Sequence, residues 1–484
     1  MAILDESFIK SLTLEQIRSK CNFLLERKTD LLDGNIKIAK GSDGVDYIQF
    51  SEKIETHAKI MCEKGKSGTY LFQPFKEVII TKPPYEKDQL ELAKKVGKTR
   101  TLSISTIQDT IFQELISDIL CEHSEVKFKN IDLHSYAYRK QKSSKMAVKN
   151  IISYINKGYV YILDGDIKGF FDEIDHNLLQ EKLFNFFGKE NILTQKYLYR
   201  FMNVKRIEDG MFKEYLVNKD VAKKRNKGIP QGGVLSGLLA NIFLYDFDLY
   251  IVNELSKMYN FEYFRYADDF VLMFQTNLDV TVVYEELRER LLKEKLILHP
   301  LGEKTRILDL SKDTLDFLGF EISPRYLKIK NANIKKFKHR ILSLLKKIEF
   351  FDTDQYLKSV VVNINPKING LENLLSIDGY CQECGNLLKK RSWLGYFLVI
   401  DDIRMFRNLD TWIRTSIYDD YHFKTKKYLK KSELLKIKGM LISIENYYYK
   451  YKKQEKIQKK RELPYCSCRR YFDKDTQSIK IIKS

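Results

Sequence analysis

Proline and histidine are scarce in this chain, at 8 and 7 residues of 484. Eight prolines with 22 glycines leave no room for a long low-complexity linker. Cysteine is as sparse, at 7 residues, which argues against a disulfide framework. No stretch of about 18 uncharged apolar residues occurs, so no helix is expected to span a bilayer. The start, Met1 to Lys10, carries Asp5 and Glu6 and lacks the basic-then-apolar pattern of a signal peptide. No internal repeat recurs at a fixed period. These absences lead to the expectation of a cytoplasmic protein without a membrane partner.

What is present is apolar and basic. Hydrophobic residues make up 44% and aromatics 13%, enough for two or three packed domains in a chain of this length. Lysine and arginine exceed aspartate and glutamate by 19, a self-repelling excess that calls for a polyanion. Nucleic acid is the first candidate and an anionic membrane surface the second. The excess is uneven: Lys424 to Arg461 holds 14 Lys and Arg against Glu433, Glu445 and Glu455, a net +11. Tyr447, Tyr448, Tyr449 and Tyr451 interleave with those lysines, a pattern that suits backbone tracking with base stacking. A solvated helix face over core aromatics accounts for it equally well. Cys381 with Cys384, and Cys466 with Cys468, could supply four thiolates to zinc. One intervening residue in the second pair is poor zinc spacing, so free thiols are the expectation.

Periodicity divides the chain. Phe8 to Leu25 has apolar residues at helical spacing with Thr13 as a helix cap, and Lys40 to Gly44 is a turn-rich break. Phe75 to Lys82 alternates as a strand that Pro83 and Pro84 end. Thr101 to Leu120 passes from strand into a long helix. Tyr159 to Ile167 is a strand with a helix from about Asp175. Val234 to Leu255 is a long apolar helix, and Phe261 to Phe274 a hairpin. Thr281 to Lys295 is helical, and Leu315 to Ser323 another strand. This order predicts an α+β layer, an antiparallel sheet with helices on one face. Beyond about residue 330 the chain becomes helical and basic.

Two acidic sites stand out. In Leu163-Asp164-Gly165-Asp166-Ile167 an apolar strand ends in carboxylates just before a turn. In Phe264-Arg265-Tyr266-Ala267-Asp268-Asp269-Phe270 two adjacent carboxylates sit at the tip of an apolar hairpin. Either alone reads most simply as a solvated acidic turn. Buried together, such like charges need a counter-charge. Oxygen ligands without a His/Cys cluster favour magnesium, and three carboxylates suit two ions about 4 Å apart, the arrangement of in-line phosphoryl transfer. A third element is Gly228-Ile229-Pro230-Gln231-Gly232-Gly233, a tight loop opening an apolar helix. Backbone can approach a ligand closely there, and Gln231 could touch a nucleotide or template base.

In this order, Asp166, Pro230-Gln231-Gly232 and Tyr266-Ala267-Asp268-Asp269 resemble the successive palm motifs of reverse transcriptases, in the flavour of group II intron proteins and related bacterial families. Gly97-Lys98-Thr99-Arg100-Thr101-Leu102 resembles the fingers motif, and Ser135-Tyr136-Ala137-Tyr138-Arg139 the next one. Gly302-Glu303-Lys304-Thr305 and Phe317-Leu318-Gly319-Phe320 are similar to the last palm motifs. Trp393-Leu394-Gly395-Tyr396-Phe397 and Leu409-Asp410-Thr411-Trp412-Ile413-Arg414 resemble the thumb of intron-encoded enzymes. The resemblance implies a right-hand polymerase: an N-terminal extension over 1–74, fingers and palm over 75–325, a helical thumb over 326–420 and a basic extension over 421–484.

The resemblance also implies roles. Asp166, with Ile167 beside it, and Asp268 and Asp269 would hold two magnesium ions. Lys98 and Arg100 would grip the incoming triphosphate. Phe171 would be the steric gate against a 2′-hydroxyl. Gln231, Gly232 and Tyr266 would line the nucleotide site. Lys304 would protonate pyrophosphate, or is a plain surface lysine. Asp172 and Asp175 match no metal position and read as helix-start acids. The partners implied are an RNA template, nascent cDNA and deoxynucleoside triphosphates, with a homo-oligomer left open. With 7 histidines and no His-Asn-His cassette after the thumb, a fused nuclease is not expected, nor is an RNase H continuation. The pattern is similar to defence-associated bacterial reverse transcriptases that copy a partner non-coding RNA against phage. A retron-type enzyme, an intron maturase that only binds RNA, and an RNA-dependent RNA polymerase are the alternatives.

Overall fold

The computed structural model describes residues 2–32, 35–82, 85, 87–369, 376–377, 380–381, 393–400, 402–460, 469–473 and 478–482. The chain forms two compact units, 1–21 with 40–318 and 22–39 with 319–484.

The first unit is built on a four-stranded sheet in the order Glu262–Tyr266, Asp269–Phe274, Tyr161–Asp166, Arg306–Asp309. Every pairing in it is antiparallel. The two middle strands are almost wholly apolar away from their acidic ends, and Ile162, Leu163, Val271, Leu272 and Met273 have no accessible surface. Such continuous burial on both faces is what a covered central strand requires. Helices Ser144–Ile155 and Val280–Lys293 pack on the sheet. The result is the α+β layer with antiparallel sheets that the element order implies.

A second sheet joins Phe75–Thr81 antiparallel to Thr99–Ile104 and parallel to Arg206–Ile207. The first helix, Ile3–Ser11, packs against Ile107–Phe128 and Ile192–Met202. Buried Asp5 accepts from the backbone N–H groups of Leu193 (2.9 Å) and Thr194 (2.8 Å) and from the Thr194 hydroxyl (2.7 Å). A carboxylate on the free N–H groups of a helix start is a stabilising cap.

The second unit is mainly helical over Asn331–Lys347, Thr353–Asn369, Arg404–Thr425, Lys431–Met440 and Ile444–Lys460. Phe337 stacks on Trp393 at 4.3 Å. Asp410 caps the last of these helices, accepting from Ile444 N at 2.7 Å and from the Ser443 hydroxyl at 2.8 Å. Of the four cysteines considered for zinc, Cys384, Cys466 and Cys468 lie outside the described residues. Among the described residues no helix is long and apolar enough to cross a membrane.

Three elements differ from the periodicity. The helix expected over Phe8 to Leu25 is two, Ile3–Ser11 and Leu14–Lys28. Thr13 takes over as a cap, its hydroxyl accepting from Gln16 N at 3.2 Å, so a new helix starts inside an unbroken apolar pattern. The long helix expected over Val234 to Leu255 is Ser236–Phe243, Tyr245–Tyr250 and a π turn Ile251–Leu255. The strand expected over Leu315 to Ser323 breaks into Leu315–Phe317 and Phe320–Ser323. Leu318 and Gly319 between them both take positive φ, 51° and 81°, which is turn geometry rather than strand.

Candidate active site

The central sheet decides where the carboxylates go. In the register of its two middle strands, Asp166 stands opposite Asp269, and Tyr266 closes the hairpin against Asp269. Asp268 occupies the turn. Asp164 and Asp166, two apart on one strand, face the same side. Asp164 is held by Arg306 at 2.6 Å, so it is a paired structural acid, whereas Asp166 lies at the strand's open end.

The approach of the strands depends on Gly165. A Cβ there would lie 2.3 Å from the Phe270 ring, a distance no side chain tolerates, so the small residue lets Phe270 cover the strand beside the two acids.

Electrostatics follow from this geometry. Burial, then the neighbouring Asp268, Asp164 and Asp166, push the Asp269 carboxyl up to about 7. Residue 269 still opens to solvent along the cleft, so the shift measures desolvation and like-charge crowding at a cleft wall and does not convert into folding energy. Asp268 is raised as well, by burial and then by Asp166, with Arg100 and Lys304 opposing. Neither Asp268 nor Asp269 has an ion-pair partner among the described residues.

Lys304 meets these acids directly, its Nζ 2.7 Å from Asp166 Oδ2. His299, which sequence reasoning did not single out, puts Nε2 3.3 Å from the same oxygen and Nδ1 3.3 Å from Glu303. Its backbone N–H donates to Asp166 O at 3.0 Å. Its signal was scarcity, one of seven histidines, in the loop just ahead of Lys304. Ile167 is buried and bridges to Leu298. Lys82 was also missed. Burial lowers its pKa, and the like charges of Arg100 and Lys304 lower it further, while Asp172 and Asp166 oppose. Three cations therefore crowd the space before the acids.

The loop Pro230-Gln231-Gly232 is stitched to the second sheet, with Ser103 N donating to Gln231 O at 2.6 Å. Gly232 has φ 109°, and a Cβ on it would sit 2.8 Å from Ser103 O. Glycine is required there for both reasons. The Gln231 side chain reaches Asp172 at 3.5 Å. Phe171 is half-buried against Phe170, and its carbonyl accepts from Ile229 N at 2.8 Å. Lys98 stays exposed, its carbonyl accepting from Lys82 N at 2.7 Å, and its side chain pairs with no carboxylate among the described residues. Asp175 caps the helix His176–Phe187 through Leu178 N at 2.9 Å.

The hairpin turn needs a support that the motif itself does not reveal. Ala267 has φ 61°, a left-handed conformation that costs about 1–2 kcal/mol for a residue with a Cβ. Its carbonyl accepts from Arg265 Nη1 at 2.9 Å. Arg265 is fully buried and also donates to Asn241 Oδ1 and the Ser135 hydroxyl at 3.0 Å each. Asp248 compensates its charge, at 2.7 Å from Nε and 2.5 Å from Nη2, and accepts from the Tyr263 hydroxyl at 2.7 Å. That counter-charge holds the guanidinium protonated despite complete burial.

A hard cation suits the donor set: Asp166, Asp268 and Asp269 are all oxygen donors, and their crowding is what a divalent charge relieves. Among the described residues no three His, Cys, Asp or Glu side chains close on one point as a metal cage; Asp166 Oδ2 turns to Lys304 and His299 instead.

Residues 87–322 match the family described as reverse transcriptase (RNA-dependent DNA polymerase). The group II intron-encoded protein LtrA of Lactococcus lactis subsp. cremoris is 32% identical over 198 residues, 41% of this chain and 28% of that one. Protein YkfC of Escherichia coli (strain K12) is 26% identical over 315 residues, 58% of this chain and 75% of that one. The chain thus spans less than a third of the intron-encoded relative. Among solved structures, telomerase from Candida albicans aligns with a TM-score of 0.40 at 12% identity, covering 87% of this chain and 71% of that chain. The ordered motifs, the sheet that sets Asp166 opposite Asp269 and the family match agree: over residues 87–322 this chain carries a domain of the reverse transcriptase (RNA-dependent DNA polymerase) family.

Proposed function

We propose that the chain is an RNA-directed DNA polymerase that extends a primer along an RNA template with deoxynucleoside triphosphates. The observation that carries this reading is the carboxylate group: Asp166 opposite Asp269, Asp268 beside it, and a carboxyl pushed to about 7 by burial and its acidic neighbours. Asp166, Asp268 and Asp269 would hold the metal, with Ile167 at its edge. Magnesium held there would lower the pKa of the primer hydroxyl and would balance the charge of the triphosphate and leaving pyrophosphate.

The chain's own residues supply the rest. Arg100 and Lys82 face the acids from the fingers strands and suit the triphosphate, with Lys98 added from the same turn. Lys304, whose Nζ lies 2.7 Å from Asp166, gives a proton to pyrophosphate. Phe171 presents a half-buried ring five residues after Asp166 and acts as the gate against a 2′-hydroxyl. Gln231, Gly232 and Tyr266 line the nucleotide side, where the Gly232 backbone admits close approach.

The finer reading is a cytoplasmic enzyme that copies a partner non-coding RNA in antiphage defence. It rests on the sequence resemblance alone, and plaque counts on cells carrying the intact chain or Asp268→Asn with Asp269→Asn test it. For the polymerase, the experiment is primer extension on RNA in magnesium, with deoxy- or ribonucleotides. Deoxynucleotide extension that EDTA stops supports the proposal, and preferential ribonucleotide extension identifies an RNA polymerase instead. RNA binding without any extension identifies a maturase-like binding protein. Phe171→Ala is expected to raise ribonucleotide incorporation; unchanged sugar discrimination removes the gate role.

A further inference from the structure

The second unit holds a groove of about 380 Å³ between the helices Arg404–Thr425 and Lys431–Met440, within the size range of ligand sites. Its first wall is a stripe one helical face wide: Thr411, Arg414, Thr415 and Tyr418, spaced i, i+3, i+4, i+7. Its second wall repeats that spacing with Lys431, Leu434, Leu435 and Lys438. The floor is apolar, with Ile417, Leu429 and Ile437 buried.

The rim is cationic and, among the described residues, without paired carboxylates. Neighbouring Lys424, Lys436 and Arg407 each pair with a carboxylate, Asp420, Asp354 and Glu445 respectively. Arg414, Lys431 and Lys438 have no such partner among the described residues; Arg414 reaches only the Thr411 hydroxyl, at 3.3 Å. Three cations left free around an apolar slot match a ligand that is flat and apolar in one part and anionic in another.

We infer that this groove holds a nucleotide of single-stranded RNA, with its base between the two helices and its flanking phosphates on Lys431 and Lys438. Arg414 and Tyr418, one turn apart on one face, offer a planar cation and a ring for stacking, the two groups on which unpaired bases rest. Thr411 and Thr415 place hydroxyls beside them, within the donor and acceptor chemistry of base edges and the 2′-hydroxyl. Charge favours RNA over a polypeptide as occupant, since Arg414, Lys431 and Lys438 line the groove with no carboxylate paired to them among the described residues. The site rests on these two helices and does not require the palm acids to be active.

Equilibrium binding of a fluorescent single-stranded RNA to the full chain, without magnesium or nucleotides, tests the inference apart from polymerisation. Lys431→Glu with Lys438→Glu should weaken binding and flatten the log–log salt dependence by about 1.4, from roughly 0.7 per phosphate contact on a single strand. Tyr418→Ala should weaken binding roughly tenfold, within the range of one lost stacking contact, and abolish the preference for RNA over an abasic strand of equal length. Thr415→Trp, which fills the groove from an exposed position, should do the same without touching the floor. Unchanged affinity in the lysine pair and in Thr415→Trp overturns the inference and leaves the groove to a protein partner. Charge loss that weakens binding while the base preference survives in Tyr418→Ala overturns the base-holding role. Loss of extension activity with this pattern intact would instead strike only the polymerase proposal.

Discussion

Arg265 and Asp248 show how much of this site is held from beneath. Both are fully buried, and the guanidinium braces the carbonyl of a left-handed alanine next to the paired acids. Removing one partner strands the other charge, so Arg265→Met should destabilise the protein by about 3–5 kcal/mol. Adding Asp248→Leu should recover part of that loss without restoring the turn. Urea unfolding of both variants checks this, and a double variant no more stable than Arg265→Met would refute the pairing account. A second buried acid gives a pH signature. Asp109 accepts from the Tyr70 hydroxyl at 2.6 Å and from Gln73 N at 2.9 Å, yet burial raises its carboxyl to about 6. An aspartate in the unfolded chain titrates near 3.9, so between these values the folded state binds the extra proton. The contribution of Asp109 to stability is therefore greatest below about 4, falls as pH rises to about 6, and is flat above. The fall of the urea midpoint across that window should be smaller in Asp109→Asn than in the native chain; an equal fall would refute the assignment.

At the level of elements, the acidic strand end, the hairpin and the glycine loop were legible because each combines a period with a breaker. The breaks at Leu12, Leu244 and Leu318 were not, since the apolar spacing carries on through each and does not register a turn. Thr13, whose hydroxyl caps a new helix, was visible as a cap, but its consequence, two helices in place of one, was not. Asp248 was invisible for the opposite reason: beside Asp246 in an apolar helix it reads as an exposed position until Arg265 and Tyr263 are seen to converge on it. His299 and Lys82 lie outside the recognised motifs, and only the folded loops bring them to Asp166 and its surroundings. The loop at Gly232 carries a test of its own. Gly232→Ala places a Cβ against Ser103 O in a backbone conformation that alanine resists, so the Ser103–Gln231 hydrogen bond should break. Nucleotide KM is expected to rise several-fold, while the unfolding free energy from urea titration falls by no more than about 1–3 kcal/mol, the range for a strained backbone position. An unchanged KM would show that the loop does not shape the nucleotide site.

Over the whole molecule, charge is divided between two tasks. In the first unit Lys82, Arg100 and Lys304 gather before a group of acids; in the second, cations run along helices with few acids to answer them. The net +19 predicts RNA affinity that falls steeply with salt, and a flat salt response would rule out backbone contacts as its source. The proposed chemistry stands on the first of these groups. Its most direct test is the rate of single deoxynucleotide addition to an RNA-templated primer by Asp166→Asn, Asp268→Asn and Asp269→Asn, each measured beside RNA affinity. The account predicts that each substitution lowers the rate by about a hundred- to a thousandfold, on the scale of losing a group that stabilises transition-state charge, with RNA affinity unchanged. Addition at the native rate by any one of the three would contradict it.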